Sequence, residues 1–335
     1  MSEEAPPLDF IVGMPRSGST WLGRALGRHP DVAVFGETCF YGRLYVPPGA
    51  DGLYGADELE KVRRIQRERD WETTTSDPNG GDPPWRPGEY AALVDDVIGR
   101  LQPPLPPQDA LAAIATAVAA REAKPRVIEK TPQHVHWLPR VAEGFPEARF
   151  ILTVRDPYAY MASYQRLGRR IDNKLTRILD LSWRHPLIAA LFWRSYSTSI
   201  ERALARYPDR TLLVRTEDAA GRPGEVLTGV QTFLGLQAAD LSGVEGLNSS
   251  FREGEPRALR GTDVLWMNLV AGRVMRRSGY EPRKQKAGVL TTAVSVVTAP
   301  LSLAATAVRI PSMVPGPFVG YLRRWHQRWT GPGVG

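Results

Sequence analysis

Residues 8–38 read LDFIVGMPRSGSTWLGRALGRHPDVAVFGET and contain the clearest fold signal in the chain. Its apolar start, residues 9–13, predicts a short strand, and the Gly/Ser-rich run that follows at once, 13–20, predicts a loop. A helix is predicted from about Ser19, because apolar residues then recur at helical spacing. After a His-Pro-Asp turn, residues 32–35 predict a second strand. The stretch is therefore a β-loop-α-β unit.

Strands and helices alternate along most of the remaining chain. Further apolar runs predict strands at 126–130, 150–154 and 211–215. Helices are expected near 134–144, from 157, near 186–206, at 223–234 and in a segment ending near 280. This order predicts an α/β fold, a P-loop-like doubly wound and mainly parallel sheet flanked by helices, with a ligand at the carboxyl ends of its strands.

Composition divides the chain into two parts. Residues 1–280 are predicted to form one α/β domain. Within it, 40–125 contains proline clusters and three candidate helices, near 56–70, 87–101 and 108–123. Such an insertion is expected to be variable and to select the acceptor, with a plain surface excursion as the alternative. Residues 281–335 form a basic, apolar extension.

Composition also excludes some classes of protein. With 42% hydrophobic and 24% charged residues, the chain is globular rather than disordered. Its one cysteine, Cys39, excludes an internal disulfide and a cysteine-built zinc site, and is expected to be a small buried hydrophobe. The acidic, proline-containing N-terminus does not resemble a signal peptide, so a cytoplasmic location is expected. No aromatic-basic module accompanies the arginines of 166–170, so no nucleic-acid partner is expected.

Gly13 and Gly18 have the spacing of the phosphate-binding loop G-x-x-x-x-G-K-S/T. Ser19 replaces the lysine of nucleotide triphosphatases, and Arg16 supplies positive charge inside the loop. Backbone amides of 17–20 would converge on one anionic group at a helix N-terminus, which suits a 5′-phosphosulfate. A P-loop kinase or nucleotide hydrolase is disfavoured by this serine and by the absence of an evident magnesium-binding carboxylate strand. A catalytically idle nucleotide-binding protein is a further alternative.

The motif PRSGSTWL, followed by HPDV and then GET, resembles the PAPS-dependent sulfotransferases, especially their bacterial, tyrosylprotein and heparan-type branches. PAPS is 3′-phosphoadenosine 5′-phosphosulfate. The resemblance covers roughly residues 8–280 and implies PAPS as the donor, PAP as the product and no metal. It implies that the donor is bound by the loop residues Arg16, Ser17, Gly18, Ser19, Thr20 and Trp21.

The resemblance also implies catalytic residues. Glu37 in FGET matches the glutamate that those branches use as general base. Lys130 in IEKTP is similar to the lysine that contacts the transferring sulfuryl group, where it would stabilise developing charge together with Arg16. Pro132 stands where the cytosolic branch has its catalytic histidine, so a histidine base is not expected there. Two weaker candidate bases follow, His134 and His136.

Arg155, directly after the strand 150–154, and Ser163, eight residues later, resemble the family's pair that holds the nucleotide 3′-phosphate. A strand-end arginine and a serine two helical turns further can both face one phosphate, although either can also be structural. Thr216 in LVRTED stands where the family commonly has a tyrosine, and the resemblance makes it a further candidate nucleotide-binding residue. The family's closing loop over the 3′-phosphate corresponds to 248–260, which makes Arg257 and Arg260 candidates.

The extension contains 22 uncharged residues, 287–308, which is long enough to span a bilayer. Ala, Thr and Ser predominate, however, and Pro300 interrupts the middle. The segment can pack on the enzyme or on a second subunit, which would give a homodimer, or lie on an anionic membrane surface with Trp325 and Trp329 as anchors. The sequence does not identify the acceptor, which can be a small molecule, glycan, lipid or peptide with a hydroxyl or amine.

Overall fold

A computed structural model of the chain describes residues 6–42, 44–68, 85–167, 185–241, 243 and 258–309. Its single sheet has the strand order β2-β3-β1-β4-β5, and every neighbouring pair is parallel. The strands are β1 (Leu8–Gly13), β2 (Val32–Gly36), β3 (Arg126–Lys130), β4 (Phe150–Val154) and β5 (Thr211–Arg215). The predicted α/β fold with a parallel, doubly wound sheet is confirmed.

Eleven α-helices are found within the described residues. They are α1 (Ser19–Gly27), α2 (Ala56–Arg67), α3 (Glu89–Arg100), α4 (Pro107–Glu122), α5 (Leu138–Gly144), α6 (Pro157–Leu167), α7 (Pro186–Arg206), α8 (Thr216–Gly221), α9 (Pro223–Leu234), α10 (Gly261–Arg277) and α11 (Val289–Arg309).

The helix predicted near 134–144 is divided into two elements. Pro132–Trp137 is a 3-10 helix, and α5 begins only at Leu138. Pro139 explains the break, because proline has no N–H to donate into a continuing helix but is well tolerated in a first turn.

Helices cover both faces of the sheet, as the alternation of side chains along β1 requires. Ile11 packs in one apolar layer with residues of α1 and α9. Its neighbours Phe10 and Val12 point to the opposite face and join the larger layer, which includes residues of α4, α5, α7 and α10. The central strand is buried along its whole length, as is typical of a parallel sheet covered on two sides.

The predicted insertion 40–125 shares the main apolar core. Tyr54, Tyr90 and Leu111 are buried in the same cluster as Phe10. An ion pair of 2.7 Å between Arg63 Nε and an Asp95 carboxylate oxygen joins α2 to α3. The three predicted helices of this segment are therefore present and pack on the sheet domain. Of the helices that the structure describes, none has the length and hydropathy needed to cross a bilayer.

Candidate active site at the carboxyl ends of the strands

The loop between β1 and α1 leaves the sheet through a glycine that no other residue can replace without strain. Gly13 has φ +129°, and a Cβ built there would lie 2.3 Å from the backbone oxygen of Thr153 on β4. The Met14 N–H donates to that same oxygen at 2.8 Å. Gly18, with φ +83°, then caps α1. The helix begins where it was predicted, and because the first amides of a helix have no partner within it, anion binding at this N-terminus stays a prediction.

Two hydroxyl groups brace the loop against the sheet. Ser17 Oγ contacts the Met14 carbonyl and lies 2.7 Å from Thr153 Oγ1. The Thr216 hydroxyl lies 2.8 Å from the Ser17 carbonyl oxygen and 2.9 Å from that of Val154. Both side chains are buried. These hydrogen bonds give Ser17 and Thr216 a structural role that the sequence did not indicate. Their predicted contacts with a nucleotide stay predictions.

Three predicted nucleotide-binding residues come together beside this loop. Arg16 Nε donates to Ser163 Oγ at 3.3 Å. The Arg155 guanidinium donates to the Arg16 carbonyl oxygen at 2.9 Å. Arg155 is itself held in place, since its own carbonyl accepts a hydrogen bond of 2.9 Å from Trp193 Nε1. The loop, the end of β4 and the helix α6 thus bring two guanidinium groups and a hydroxyl to one place, where an anion is favoured.

The predicted base and the predicted lysine form an ion pair at the ends of β2 and β3. Lys130 Nζ lies 2.9 Å from Glu37 Oε1, and the Glu37 N–H donates to the Lys130 carbonyl oxygen at 2.9 Å. The lysine side chain is only 12% exposed, whereas that of Glu37 is 33% exposed. The lysine therefore holds a carboxylate that is partly exposed at the surface.

Glu129 and His134 form a buried pair behind this ion pair. His134 Nδ1 lies 3.0 Å from Glu129 Oε2, and the Thr38 hydroxyl donates to Glu129 Oε1 at 2.8 Å. Burial raises the pKa of Glu129, but His134 and the threonine hydroxyls lower it by more, so the net pKa is below its ordinary value. His134 Nε2 accepts the Tyr41 N–H at 3.1 Å. The His134 ring is fully buried, between the Glu129 carboxylate and the Tyr41 N–H, so its position does not support a role as base.

The other candidate, His136, also packs within the protein. Its Nδ1 lies 2.8 Å from Ser199 Oγ, and its ring centroid is 4.5 Å from that of Tyr196. These contacts are those of a partly buried histidine that packs within the protein, as expected for this weaker candidate base.

Two buried tyrosines, Tyr160 and Tyr196, lie near the charged residues of the site. The sequence analysis did not identify these tyrosines. Burial raises the pKa of Tyr160, and the Arg16 charge opposes the shift in part. Burial also raises the pKa of Tyr196 well above its ordinary value, with neighbouring groups that include the Glu37 carboxylate adding to it. Both phenols therefore stay neutral at physiological pH. The spacing of four between Tyr160 and Tyr164, around Ser163, is the sequence signal that points to this face of α6.

The remaining predicted site residues differ in their surroundings. Thr20 is exposed in the first turn of α1, and Ser19 beside it is buried. The Trp21 side chain packs in the apolar layer, so its backbone N–H is the part that an anion at the helix N-terminus would meet. Arg260 is exposed and directly precedes α10. Arg257 lies outside the described residues.

Comparison with known proteins agrees with this geometry. The family model described as "Sulfotransferase family" matches residues 7–240. A putative protein-tyrosine sulfotransferase of Caenorhabditis briggsae is 26% identical over 237 residues, which cover 69% of this chain and 66% of the relative. The nodulation protein NoeE of Sinorhizobium fredii is 27% identical over 266 residues, covering 73% and 55%. The chain thus spans less than two thirds of the length of these relatives.

Solved structures share the fold at low identity. The sulfotransferase domain from the curacin biosynthetic pathway aligns with a TM-score of 0.51 and 16% identity, over 84% of this chain and all of that domain. The sulfotransferase STF9 of Mycobacterium avium aligns with a TM-score of 0.52 and 14% identity, over 84% of this chain and 79% of its own. Because the family model matches residues 7–240, more than half of the chain, the chain belongs to the sulfotransferase family.

Proposed function

We propose that the protein transfers a sulfuryl group from PAPS to an acceptor hydroxyl or amine by in-line displacement. One observation carries the proposal: a carboxylate and an ammonium group, Glu37 and Lys130, meet at 2.9 Å at the ends of adjacent parallel strands. The phosphate-binding loop leaves β1, which is the next strand of the same sheet. The carboxyl ends of parallel strands meet at one edge, so a base, a cation and an anion-binding helix N-terminus share one site.

Donor binding is supported by the contacts around Arg16. The N-terminus of α1 suits the 5′-phosphosulfate, because its amides and macrodipole both favour an anion. Arg155 and Ser163 each contact Arg16, at 2.9 and 3.3 Å, and they suit the nucleotide 3′-phosphate. A phosphate there would accept charge-assisted hydrogen bonds from guanidinium groups that the fold already holds in position.

The proposed reaction needs one base and one cation. The acceptor oxygen or nitrogen forms a bond to sulfur while the bond from sulfur to the 5′-phosphate oxygen breaks, and PAP leaves with that electron pair. The Glu37 carboxylate takes the acceptor's proton. Negative charge grows on the leaving oxygen, and Lys130, with Arg16, stabilises it. Lys130 therefore exchanges its contact with Glu37 for one with the donor.

Calorimetry tests the donor. We expect PAP and PAPS to bind without magnesium, and we expect ATP with magnesium to bind more weakly. Preference for Mg-ATP would favour a kinase or hydrolase instead, which Ser19 in the usual lysine position argues against. PAP binding without transfer to any acceptor would favour a catalytically idle protein.

Transfer of labelled sulfur from PAPS tests the acceptor. Tyrosine peptides belong in the panel because one relative's name specifies protein tyrosine. Glycans, phenols, amines and lipid extracts complete it. Labelled product on one class identifies the acceptor, and its absence on all classes, in the presence of PAP binding, contradicts the transferase proposal.

A further inference from the structure

The helix α11 packs with its polar side inward and its apolar side outward. Four residues at spacings of four, three and four form one buried stripe: Ser295, Ala299, Ser302 and Thr306. Six aliphatic residues of the same helix are more than half exposed: Val289, Leu290, Val294, Val296, Val297 and Leu301. The helices of globular domains normally place such side chains against the core.

Specific hydrogen bonds fix this orientation. Trp266 Nε1 on α10 donates to Ser295 Oγ at 3.0 Å. His185 Nε2 lies 2.8 Å from the Ser295 carbonyl oxygen, and His185 Nδ1 accepts the Leu187 N–H. The ring therefore donates from Nε2. Rotating α11 to hide its aliphatic side chains would break these contacts.

The whole net charge of the chain lies next to this surface in sequence. Residues 282–335 contain seven of the 43 Lys and Arg residues and none of the 36 Asp and Glu residues. Residues 1–281 therefore carry 36 of each sign and are neutral, and the net charge of +7 belongs to the extension. Lys284 and Lys286, just before α11, are exposed. The residues after α11 include Trp325 and Trp329, of the type that anchors proteins at membrane interfaces.

We propose that α11 lies in the surface of an anionic lipid bilayer. Its exposed aliphatic side enters the boundary between headgroups and acyl chains by about 5–10 Å, while the polar stripe stays on the protein and Lys284 and Lys286 contact the headgroups. A symmetric contact with a second copy would bring the exposed Lys284 and Lys286 of both copies close to one another, which like-charge repulsion opposes. An anionic surface provides both the apolar layer and the opposite charge.

Flotation of the full chain with phosphatidylcholine vesicles, with and without phosphatidylglycerol, tests the proposal. We expect strong binding only when phosphatidylglycerol is present, and weaker binding as salt is raised. The triple variant Leu290→Gln/Val297→Gln/Leu301→Gln removes apolar groups without changing charge, and should lower the partition coefficient about ten-fold per side chain. These positions are exposed, so the melting temperature should stay unchanged.

Charge variants separate attraction from insertion. Lys284→Gln/Lys286→Gln should lower binding to phosphatidylglycerol vesicles about five-fold per residue. The matched control is Lys61→Gln/Arg100→Gln, which removes the same charge from exposed positions of α2 and α3 and should have little effect.

Three results would overturn the proposal. The first is the absence of binding to phosphatidylglycerol vesicles at low salt. The second is binding of the triple glutamine variant equal to that of the unaltered chain. The third is a dimer in light scattering that the same variant dissociates, because a second copy would then cover the apolar side. None of these measurements requires sulfur transfer, so they do not depend on the proposed function.

Discussion

The substitution Glu37→Gln tests the proposed base with little change of shape. It replaces the carboxylate that lies 2.9 Å from Lys130 Nζ by an amide. Because Glu37 is 33% exposed, solvent screens the ion pair, and its loss should change the free energy of unfolding by no more than about 1 kcal/mol. A change of that size would shift the melting temperature of a domain this large by about 2–4 °C. The variant should therefore fold.

The effect on catalysis should be much larger. Loss of a general base typically lowers the rate about 10²–10⁴-fold, which corresponds to an activation free energy higher by about 2.7–5.4 kcal/mol. PAP affinity should stay equal or rise slightly, since Lys130 no longer has a competing carboxylate. We would measure transfer of labelled sulfur at saturating PAPS and acceptor, PAP binding by calorimetry, and the melting temperature of the same samples.

The matched control is Glu122→Gln. Glu122 is 16% exposed and lies 3.7 Å from Lys124 Nζ, so it belongs to a similar Glu–Lys pair. Lys124 also donates to the carbonyl oxygen of Val32, the first residue of β2, which places this pair at the amino end of the sheet. The Glu122→Gln variant should have an activity near that of the unaltered protein. Near-normal turnover of Glu37→Gln would refute the base assignment, and joint loss of folding and PAP binding would make Glu37 structural.

Three further predictions follow from single contacts. Arg155→Ala should weaken PAP binding by roughly 1.5–3 kcal/mol in calorimetry, with little change for the 3′-dephosphorylated analogue; equal losses for both ligands would place the 3′-phosphate elsewhere. Gly13→Ala should lower the free energy of unfolding by at least about 3 kcal/mol, because the new Cβ would lie 2.3 Å from Thr153 O. The control Gly52→Ala should cost less, because φ is also positive there, at +81°, but no atom lies within 4 Å of the new Cβ. Burial lowers the pKa of His185 in the folded protein from 6.5, so the neutral ring stabilises the fold fully above pH 6.5, and this stabilisation declines as the pH falls towards the lowered pKa. The variant His185→Asn keeps a helix-capping residue and should remove this pH dependence of the melting temperature.

The strands were predictable from sequence because helices cover both faces of the sheet, so most strand residues are apolar. Short apolar runs bounded by turn residues leave little choice of register, and the predicted strands 126–130, 150–154 and 211–215 match the structure to the residue. The split helix near 134–144 was missed because apolar spacing continues through Pro139, while the missing N–H stops the hydrogen-bond ladder.

The candidate site was predictable to the extent that it depends on strand ends. Glu37, Lys130 and Arg155 each follow or end a parallel strand, so their convergence at one edge follows from the fold. The hydrogen bonds that hold the loop against the sheet were not predictable in this way. Ser17 forms hydrogen bonds with Thr153, which is 136 residues away in sequence, and with Thr216, which is 199 residues away. These contacts depend on the order of the strands in the sheet, which a local sequence pattern does not specify.

The orientation of α11 shows where periodicity stops being informative. The 3.6-residue repeat separates a stripe of Ser, Ala and Thr from a broad aliphatic side, but it does not specify which of the two meets the protein. That choice depends on the partner surface. Here the partner offers Trp266 Nε1, which donates to the Ser295 hydroxyl, and an aliphatic side chain at this position would leave that N–H without its acceptor. His185 Nε2 donates to the main-chain carbonyl of the same residue and so fixes the position of the helix. The apolar side faces outward as a consequence, so the residues that receive α11 also determine what the helix offers to a membrane.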